Sequence, residues 1–426
     1  MKSYNGSPAK KVFLTAIWCM TAFYGVLLNA DLRAQSVGGK GNREDASVIG
    51  NPSNPAWKES YKRGLRYQEQ KQYEKAIAEF NAALKVEPGL WLITLQLGQA
   101  YRELKQYEKA IFYLSQAISK NPDPPFRVTA YLLRSVTYAS IEKYKEAMDD
   151  ITKTIELDPK GSTGYYKRGE YYLVAFSQPE KALKDFDTAI TFGERSAEIY
   201  HYRGAALFKL GRFQEAIESY SQVLKIDPSH YSGLLNRGST YLCLEEYDKA
   251  LNDQNTVLRL YPEDVEARLD RVSVYIAKED FNAALSDLLF AIDHGRKDAW
   301  LYLTLADVYY RLGELEKAIQ ANDKAIELDN NTFLQPSLYF KKGLFLLIRG
   351  SIDEATKSYE QGIKLAVDGR NLQSVELAAR DISGASFSKE EAKTVASKIT
   401  SQLNETQRKI APMAVTNQGQ CHKSRI

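Results

Sequence analysis

Small and apolar residues recur at helical spacing from Trp57 onward. They lie at i, i+4 and i+7, which places them on one face of a helix, and the spacing returns in a second stretch after a polar turn. Pro88 ends the second stretch, because proline donates no backbone hydrogen bond. The residues on the two faces are Ser60, Gly64 and Tyr67, and then Ala76, Phe80 and Ala83. Neither stretch alternates with a period of two, so the pattern predicts paired helices and no strands.

This two-helix unit recurs along the chain. The segment KQYEKAIAEFNAAL from Lys71 returns as KQYEKAIFYLSQAI from Lys105, a step of 34 residues. The step is the same elsewhere, except for short insertions after the second, fourth and eighth units. The nine units begin at Trp57, Trp91, Val128, Ser162, Ala197, Tyr231, Val265, Ala299 and Pro336. Such a period predicts stacked helix pairs rather than one compact core.

Small residues recur where the two helices of a unit are expected to cross. Alanine occupies one position of the second helix in all nine units, and glycine occupies one position of the first helix in six. Small side chains let two helices approach closely, whereas larger ones would push them apart. The seventh and ninth units depart from the pattern, with Val272 in place of glycine and Gly362 in place of the last alanine.

The unit resembles the tetratricopeptide repeat in its length, in the Gly and Tyr of helix one, in the Ala, aromatic and Ala of helix two, and in its closing proline. The resemblance covers residues 57–370. It implies an all-α, right-handed superhelical solenoid of antiparallel helix pairs, with first helices lining a concave surface. It also implies a non-catalytic scaffold or adaptor that binds partner proteins or peptides there. The alternative is a self-associating structural component of an envelope or membrane complex.

Two positions of the first helix define a candidate peptide groove from the fourth unit onward. The fifth and twelfth positions are two helical turns apart and share a face, and both are mostly apolar. One interpretation is a groove for an extended or helical peptide, and the other is packing between successive helices. The fifth-position residues are Tyr166, His201, Leu235, Leu269, Leu303 and Phe340, and the twelfth-position residues are Phe208, Leu242, Ile276 and Tyr310.

A candidate basic row occupies the seventh position. Stacked units would align these side chains, which could then bind carboxylates or phosphates. The alternative is that their stems cover apolar neighbours while their charged groups pair with acids of the next helix. The row consists of Arg168, Arg203, Arg237 and Arg271, with Arg63, Arg134 and Lys342 at the same position of other units.

One ligand of the family is not expected. Family members that hold the acidic tails of chaperones use Lys and Asn on successive first helices. The residue after the unit's glycine, where that Asn would lie, is Leu65, Gln99, Glu170, Ala205 or Ser239 here.

The segments outside the repeats suggest export and capping. Lysines precede an uncharged run at residues 12–30, so residues 1–34 are predicted to be a signal peptide or a signal anchor, with a buried helix as the third alternative. Residues 35–56 read as a flexible linker. Amphipathic helices are predicted at Leu372–Ile382 and Lys389–Lys409, within a capping region at 371–410, and residues 411–426 are predicted to be disordered. The repeats would therefore be periplasmic, secreted or lumenal, or anchored on the outer side of a membrane.

The composition and the absence of known motifs argue against several classes of function. The chain has 57 Lys and Arg against 54 Asp and Glu, a net charge of +3, and no nucleic-acid partner is expected. The three cysteines lack metal-binding spacing, and His201 has no second ligand nearby. Phosphate-binding loops and nucleophile motifs are not found. Neither catalysis nor a cofactor nor a metal is therefore expected.

Overall fold

The computed structural model describes residues 56–120, 123–329, 334–369, 371–387 and 389–421, with side chains as far as Ile410. The predicted signal segment at 1–34, with its candidate membrane tether at 12–30, lies outside the described residues. So does the predicted linker up to residue 55. Among the described helices, none has both the length and the apolar character needed to cross a bilayer.

The described residues form twenty α-helices and no strand, which confirms the predicted all-α class. Eighteen of them are the first and second helices of the nine repeat units, and in eight of these units the two helices pack against each other. The first helices are α1 Ala56–Glu69, α3 Trp91–Glu103, α5 Pro124–Ala139, α7 Ser162–Val174, α9 Ala197–Lys209, α11 Tyr231–Cys243, α13 Val265–Ala277, α15 Ala299–Arg311 and α17 Gln335–Arg349. The second helices are α2 Tyr73–Val86, α4 Tyr107–Lys120, α6 Tyr144–Leu157, α8 Pro179–Thr191, α10 Phe213–Ile226, α12 Tyr247–Leu260, α14 Phe281–Asp293, α16 Leu315–Leu328 and α18 Ile352–Asp368.

The chain divides into two compact units between Leu244 and Glu245. The N-terminal unit contains α1 to α11 of the described helices, and the C-terminal unit contains the remainder. Within each unit, consecutive helices pack against each other along the chain. This is the neighbour-to-neighbour packing of a repeat solenoid.

The recurring small residues lie where the helices of a pair touch. A Cβ atom on Gly64 would come within 2.4 Å of the Phe80 ring, and one on Gly204 within 2.6 Å of the Tyr220 ring. Neither contact is sterically possible, so any larger residue would force the two helices apart. The alanines of the second helices have no exposed surface in any pair: Ala76, Ala110, Ala147, Ala182, Ala216, Ala250, Ala284, Ala318 and Ala355.

The two irregular units have local explanations. Val272 is completely buried within the seventh unit, where it takes the place of the usual glycine. In the ninth unit a Cβ atom on Gly362 would lie 2.6 Å from the ring of Phe340. Glycine therefore replaces alanine there because a phenylalanine from the first helix occupies the space.

The start of one repeat helix and the C-terminal tail differ from the prediction. Helix α5 begins at Pro124, ahead of the predicted Val128, because proline fits the first turn of a helix. After α19 Leu372–Gly384, helix α20 runs from Glu390 to Cys421. The prediction of disorder from residue 411 is therefore wrong up to Cys421. Once a helix exists, each further residue adds a hydrogen bond without a new nucleation cost, so low apolar content alone does not end it.

The last two helices continue the paired arrangement. Helix α19 packs on α17, and α20 packs on both α18 and α19. The hydroxyl groups of Ser337 and Ser374 lie 2.9 Å apart across the α17–α19 contact. Their buried apolar residues join the core of the preceding units, and these are Val375, Ala378, Ile382, Ala392, Ala396, Ile399, Leu403 and Ile410.

Candidate peptide-binding face

We call the fifth and twelfth positions of the first helices the first-helix face. In the N-terminal unit most of its candidate residues are buried: Leu235 is 1% exposed, Leu242 is 4% exposed, and His201 and Phe208 are each 6% exposed. Tyr166 is half-buried, and its ring lies 6.1 Å from the ring of Tyr202. This part of the face consists mainly of packed side chains.

The C-terminal unit keeps more of the first-helix face accessible. Leu269 and Phe340 are buried there, but Ile276, Leu303 and Tyr310 are only half-buried. Four of these five residues, Leu269, Phe340, Ile276 and Tyr310, belong to or pack against one hydrophobic core. Among these candidate residues, only the three half-buried ones are accessible to a peptide. Peptide binding itself stays a prediction.

The buried His201 is the polar exception on the face. The amide group of Asn236 donates a hydrogen bond to its Nε2 atom over 2.8 Å, so the imidazole is neutral. Burial, and then the neighbouring His230, lowers the pKa of His201 to about 4. The ring of His230 lies 5.8 Å away, and the described residues contain no group of three or more metal-ligating side chains.

Two arginines of the basic row bind acids of the second helix in their own unit. Arg168 makes two hydrogen bonds to Asp185, at 2.7 and 2.8 Å, and this contact raises the pKa of the arginine. Arg271 binds Asp287 in the same two-pronged way, with both distances at 2.8 Å. Asp185 is 4% exposed and Asp287 is 2% exposed, so each carboxylate is buried beneath its arginine.

The other two arginines of the row reach the preceding unit. Arg203 binds Asp187 of the preceding unit over 2.7 Å and also donates to the Ser219 hydroxyl of its own unit, whereas Arg237 donates to the Ser221 hydroxyl of the preceding unit over 3.1 Å. All four side chains of the row thus have partners within the protein. The observed geometry is that of pairing between helices, and ligand binding by the row stays a prediction.

The partner acids were not predicted individually, although the sequence contains a signal for them. In three units an acid follows the arginine by sixteen residues, and the pairs are Arg63–Glu79, Arg134–Asp150 and Arg271–Asp287. This spacing spans the turn and reaches the facing position of helix two. Burial raises the pKa of Asp150, and the Arg134 guanidinium opposes that rise.

A second unpredicted feature lies one residue after the fifth position. Polar residues at the sixth position of the first helices make contacts near the first-helix face: Gln68 donates to Gln96 over 3.2 Å, and Lys341 binds Asp307 over 2.8 Å. Asp270 occupies the same position in α13, next to Leu269. Burial, followed by the nearby acids Glu266 and Asp264, raises the pKa of Asp270 to about 7.

Charge is also unevenly distributed along the chain. Residues 245–329 contain nineteen Asp and Glu but ten Lys and Arg. The whole chain has a net charge of +3, so this segment is acidic against a slightly basic background.

Comparison with protein families identifies the repeat. The tetratricopeptide repeat family matches residues 67–130, 128–160, 197–230 and 269–332. The chain is a tetratricopeptide repeat protein. The matches fall in both compact units, on helix pairs whose first helices carry the face described above.

Similar proteins share only part of this tetratricopeptide repeat array. Human Tetratricopeptide repeat protein 13 is 28% identical over 128 residues, which are 30% of this chain and 14% of that protein. Hsc70-interacting protein 1 of Drosophila melanogaster is 34% identical over 86 residues, 20% of this chain and 22% of its own length. The chain therefore spans well under a third of the length of these relatives.

Solved structures of similar proteins also overlap with part of the chain. The C-terminal part of a repeat protein from Cytophaga hutchinsonii has 15% identity and a TM-score of 0.42, and it covers 64% of this chain and 96% of that one. YrrB, described as a tetratricopeptide repeat protein with an unusual peptide-binding site, has 24% identity and a TM-score of 0.38, with 44% and 95% covered.

Proposed function

We propose that this tetratricopeptide repeat protein is a non-catalytic scaffold that binds a partner protein or peptide on the first-helix face of its C-terminal unit. The observation that carries the proposal is the partial exposure of Ile276, Leu303 and Tyr310 at two positions that share a helix face. Half-buried apolar side chains gain further burial when a peptide covers them, which favours binding.

The relatives support protein binding in general rather than one partner. The name of the Drosophila relative states an interaction with Hsc70, but the shared segment is 22% of that protein. The positions where chaperone-binding family members carry Asn are occupied by Leu65, Gln99, Glu170, Ala205 and Ser239 here. A chaperone tail is therefore not the partner that we propose.

The location of the scaffold is part of the proposal. Lysines followed by the uncharged residues 12–30 favour export, either with cleavage or with retention as a membrane anchor. Cell fractionation and protease accessibility of the full chain, compared with a chain lacking residues 2–30, test this. The full chain should be accessible from outside the cytoplasm, and the shortened chain should stay protected. Equal protection of both chains would contradict export.

The binding test must avoid the buried part of the face. Charged substitutions at Leu235 or Leu269, at 1% and 6% exposed, would place an unpaired charge in the core and unfold the protein. Leu303→Asp and Tyr310→Ala alter half-buried positions instead. Leu289→Asp is the matched control, because Leu289 is a 40% exposed leucine of the second helix α14.

We expect peptides selected from a display library on the full chain to bind Leu303→Asp and Tyr310→Ala at least about tenfold more weakly, a loss of about 1.4 kcal/mol. Leu289→Asp should bind as the parent does, and circular dichroism and melting curves should show that all variants are folded. Retained affinity in both face variants would contradict the proposed site. Light scattering of residues 36–426 tests the self-associating alternative. That alternative predicts a stable oligomer, which the face variants should dissociate.

A further inference from the structure

The sixth position of the first helices lies on the border of the first-helix face. In the sixth and ninth units, the polar residue at this position contacts a residue of the preceding first helix. Asn236 donates to His201 over 2.8 Å, and Lys341 binds Asp307 over 2.8 Å. In these two units the polar side chain lies between successive first helices, where a charge needs a partner.

The contacts of this position differ from unit to unit, but most of its polar residues have one. Gln96 accepts a hydrogen bond from Gln68, and Lys167 binds Glu170 over 2.8 Å on its own helix. Lys341 has a second carboxylate, Asp381 of α19, at 3.2 Å. Lys62, in the first unit, is exposed to solvent and needs no partner.

Asp270 departs from this rule. It is only partly exposed, yet within the described part of the chain its carboxylate makes no hydrogen bond and no ion pair. Burial raises the pKa of Asp270, and the acids Glu266 and Asp264 raise it further. The protein thus holds a carboxylate that is partly removed from water under the influence of like charges, which is unfavourable without a cation.

The basic residues around Asp270 are already engaged elsewhere. Arg271 and Arg268 both bind Asp287 of α14, at 2.8 and 3.2 Å. Arg296 pairs with Glu266. Asp264 is used as the N-cap of α13, where its side chain accepts a hydrogen bond from the backbone of Ala267 over 2.9 Å.

We propose that Asp270 binds the ammonium or guanidinium group of a Lys or Arg side chain in the partner peptide. This inference rests on the proposed function and names the chemistry of the partner. The apolar part of that peptide would cover Ile276 and Leu303, and its cation would reach the carboxylate that borders them.

The charge distribution favours a cationic partner over an anionic or neutral one. Residues 245–329 carry nineteen acids against ten basic residues, so their field attracts a basic segment. A charge-assisted hydrogen bond to a partly desolvated carboxylate is among the stronger polar contacts, and it would relieve the unfavourable state of Asp270 in the free protein.

The test uses a short labelled Leu–Lys peptide and its Leu–Gln counterpart, with binding to the full chain followed by fluorescence anisotropy at physiological ionic strength. Wild type should prefer the Leu–Lys peptide. Asp270→Asn should weaken Leu–Lys binding about tenfold and leave Leu–Gln binding unchanged. The same variant should melt at a higher temperature, because an unpaired, partly buried charge has been removed.

Asp293→Asn is the matched control, since it removes the same charge from an exposed position at the end of α14. It should keep the preference for Leu–Lys. The proposal is overturned if wild type has no preference, if Asp270→Asn keeps it, or if Asp293→Asn loses as much affinity. If Leu303→Asp bound neither peptide and Asp270→Asn still preferred the Leu–Lys peptide, the proposed function would be supported and the role of Asp270 would be contradicted. Binding of both peptides by Leu303→Asp would contradict the proposed function itself.

Discussion

At the scale of single residues, the buried His201 makes stability depend on pH. The folded protein lowers its pKa to about 4, whereas a histidine in an unfolded chain titrates near pH 6.5. Above pH 6.5 both states are neutral and the residue has no effect. As the pH falls from 6.5 to 4, the unfolded state binds a proton that the folded state resists, so the free energy of unfolding decreases.

The replacement His201→Leu should abolish that decrease. Leucine is a suitable substitute, because Leu95, Leu235 and Leu269 occupy the equivalent position. Between pH 7.5 and pH 5, wild type should lose about 2 kcal/mol more than the variant in urea unfolding. The exposed His294 provides a comparison variant, His294→Leu, which removes a histidine but leaves His201 in place. Identical pH slopes in wild type and His201→Leu would disprove the assignment.

The arginines of the basic row should differ in their importance for stability. Arg168→Gln leaves the buried Asp185 without its cation and should cost about 3 kcal/mol. Arg203→Gln should cost less than about 1 kcal/mol, because the side chain of its partner Asp187 is 50% exposed. Chemical denaturation measures both values. If Arg168→Gln kept full stability but no longer bound the selected peptides, the row would serve a ligand rather than the fold.

Residue identity alone could not decide between groove and packing. Leu235 and Leu303 occupy the same position of their units and are both leucines, yet one is 1% exposed and the other is half-buried. The difference depends on what the neighbouring helices place against each side chain, which a single-unit pattern does not contain. The sixteen-residue spacing of Arg and acid, in contrast, could have been read from the sequence.

At the scale of helices, the repeat period predicted the starts of most first helices, since α3, α7, α9, α11, α13 and α15 begin at the predicted residues. The turns between paired helices were less predictable. Gly211 and Gly313 have positive φ there, as expected for glycine, but Lys105 and Glu279 adopt φ angles of 57° and 63° at the equivalent position. Lysine and glutamate do not favour this conformation, so their residue types give no sign of it.

The turn geometry is imposed by hydrogen bonds that close the first helix. Gln106 donates its backbone N–H to Tyr101 O over 2.9 Å, and Lys105 donates to Arg102 O over 2.8 Å. The hydrogen bond from Gln106 to Tyr101 satisfies a carbonyl group at the helix end that would otherwise have no partner. Pairing of the two helices therefore determines the backbone at this position, whatever residue the sequence provides.

At the scale of the whole molecule, the array needs a cover at its C-terminal end. Each helix pair buries its apolar surface against the next, so the last pair would expose a face unless something packs on it. Helices α19 and α20 do so: Val375 and Ile382 join the same core as Leu344 and Phe345 of α17. Lys341 connects the two layers by binding both Asp307 and Asp381.

Truncation after Gly369 tests this role. Removing α19 and α20 uncovers apolar surface on α17 and α18 and takes away Asp381. The melting temperature should fall by about 5 °C or more, and light scattering should show self-association through the uncovered face. A chain that stops after Ile410 is the matched control, because it keeps every side chain of the two helices that the structure describes as buried, and it should remain stable and unassociated. If the shorter chain melted like the full chain and did not associate, the two helices would be an appendage rather than the end of the repeat core.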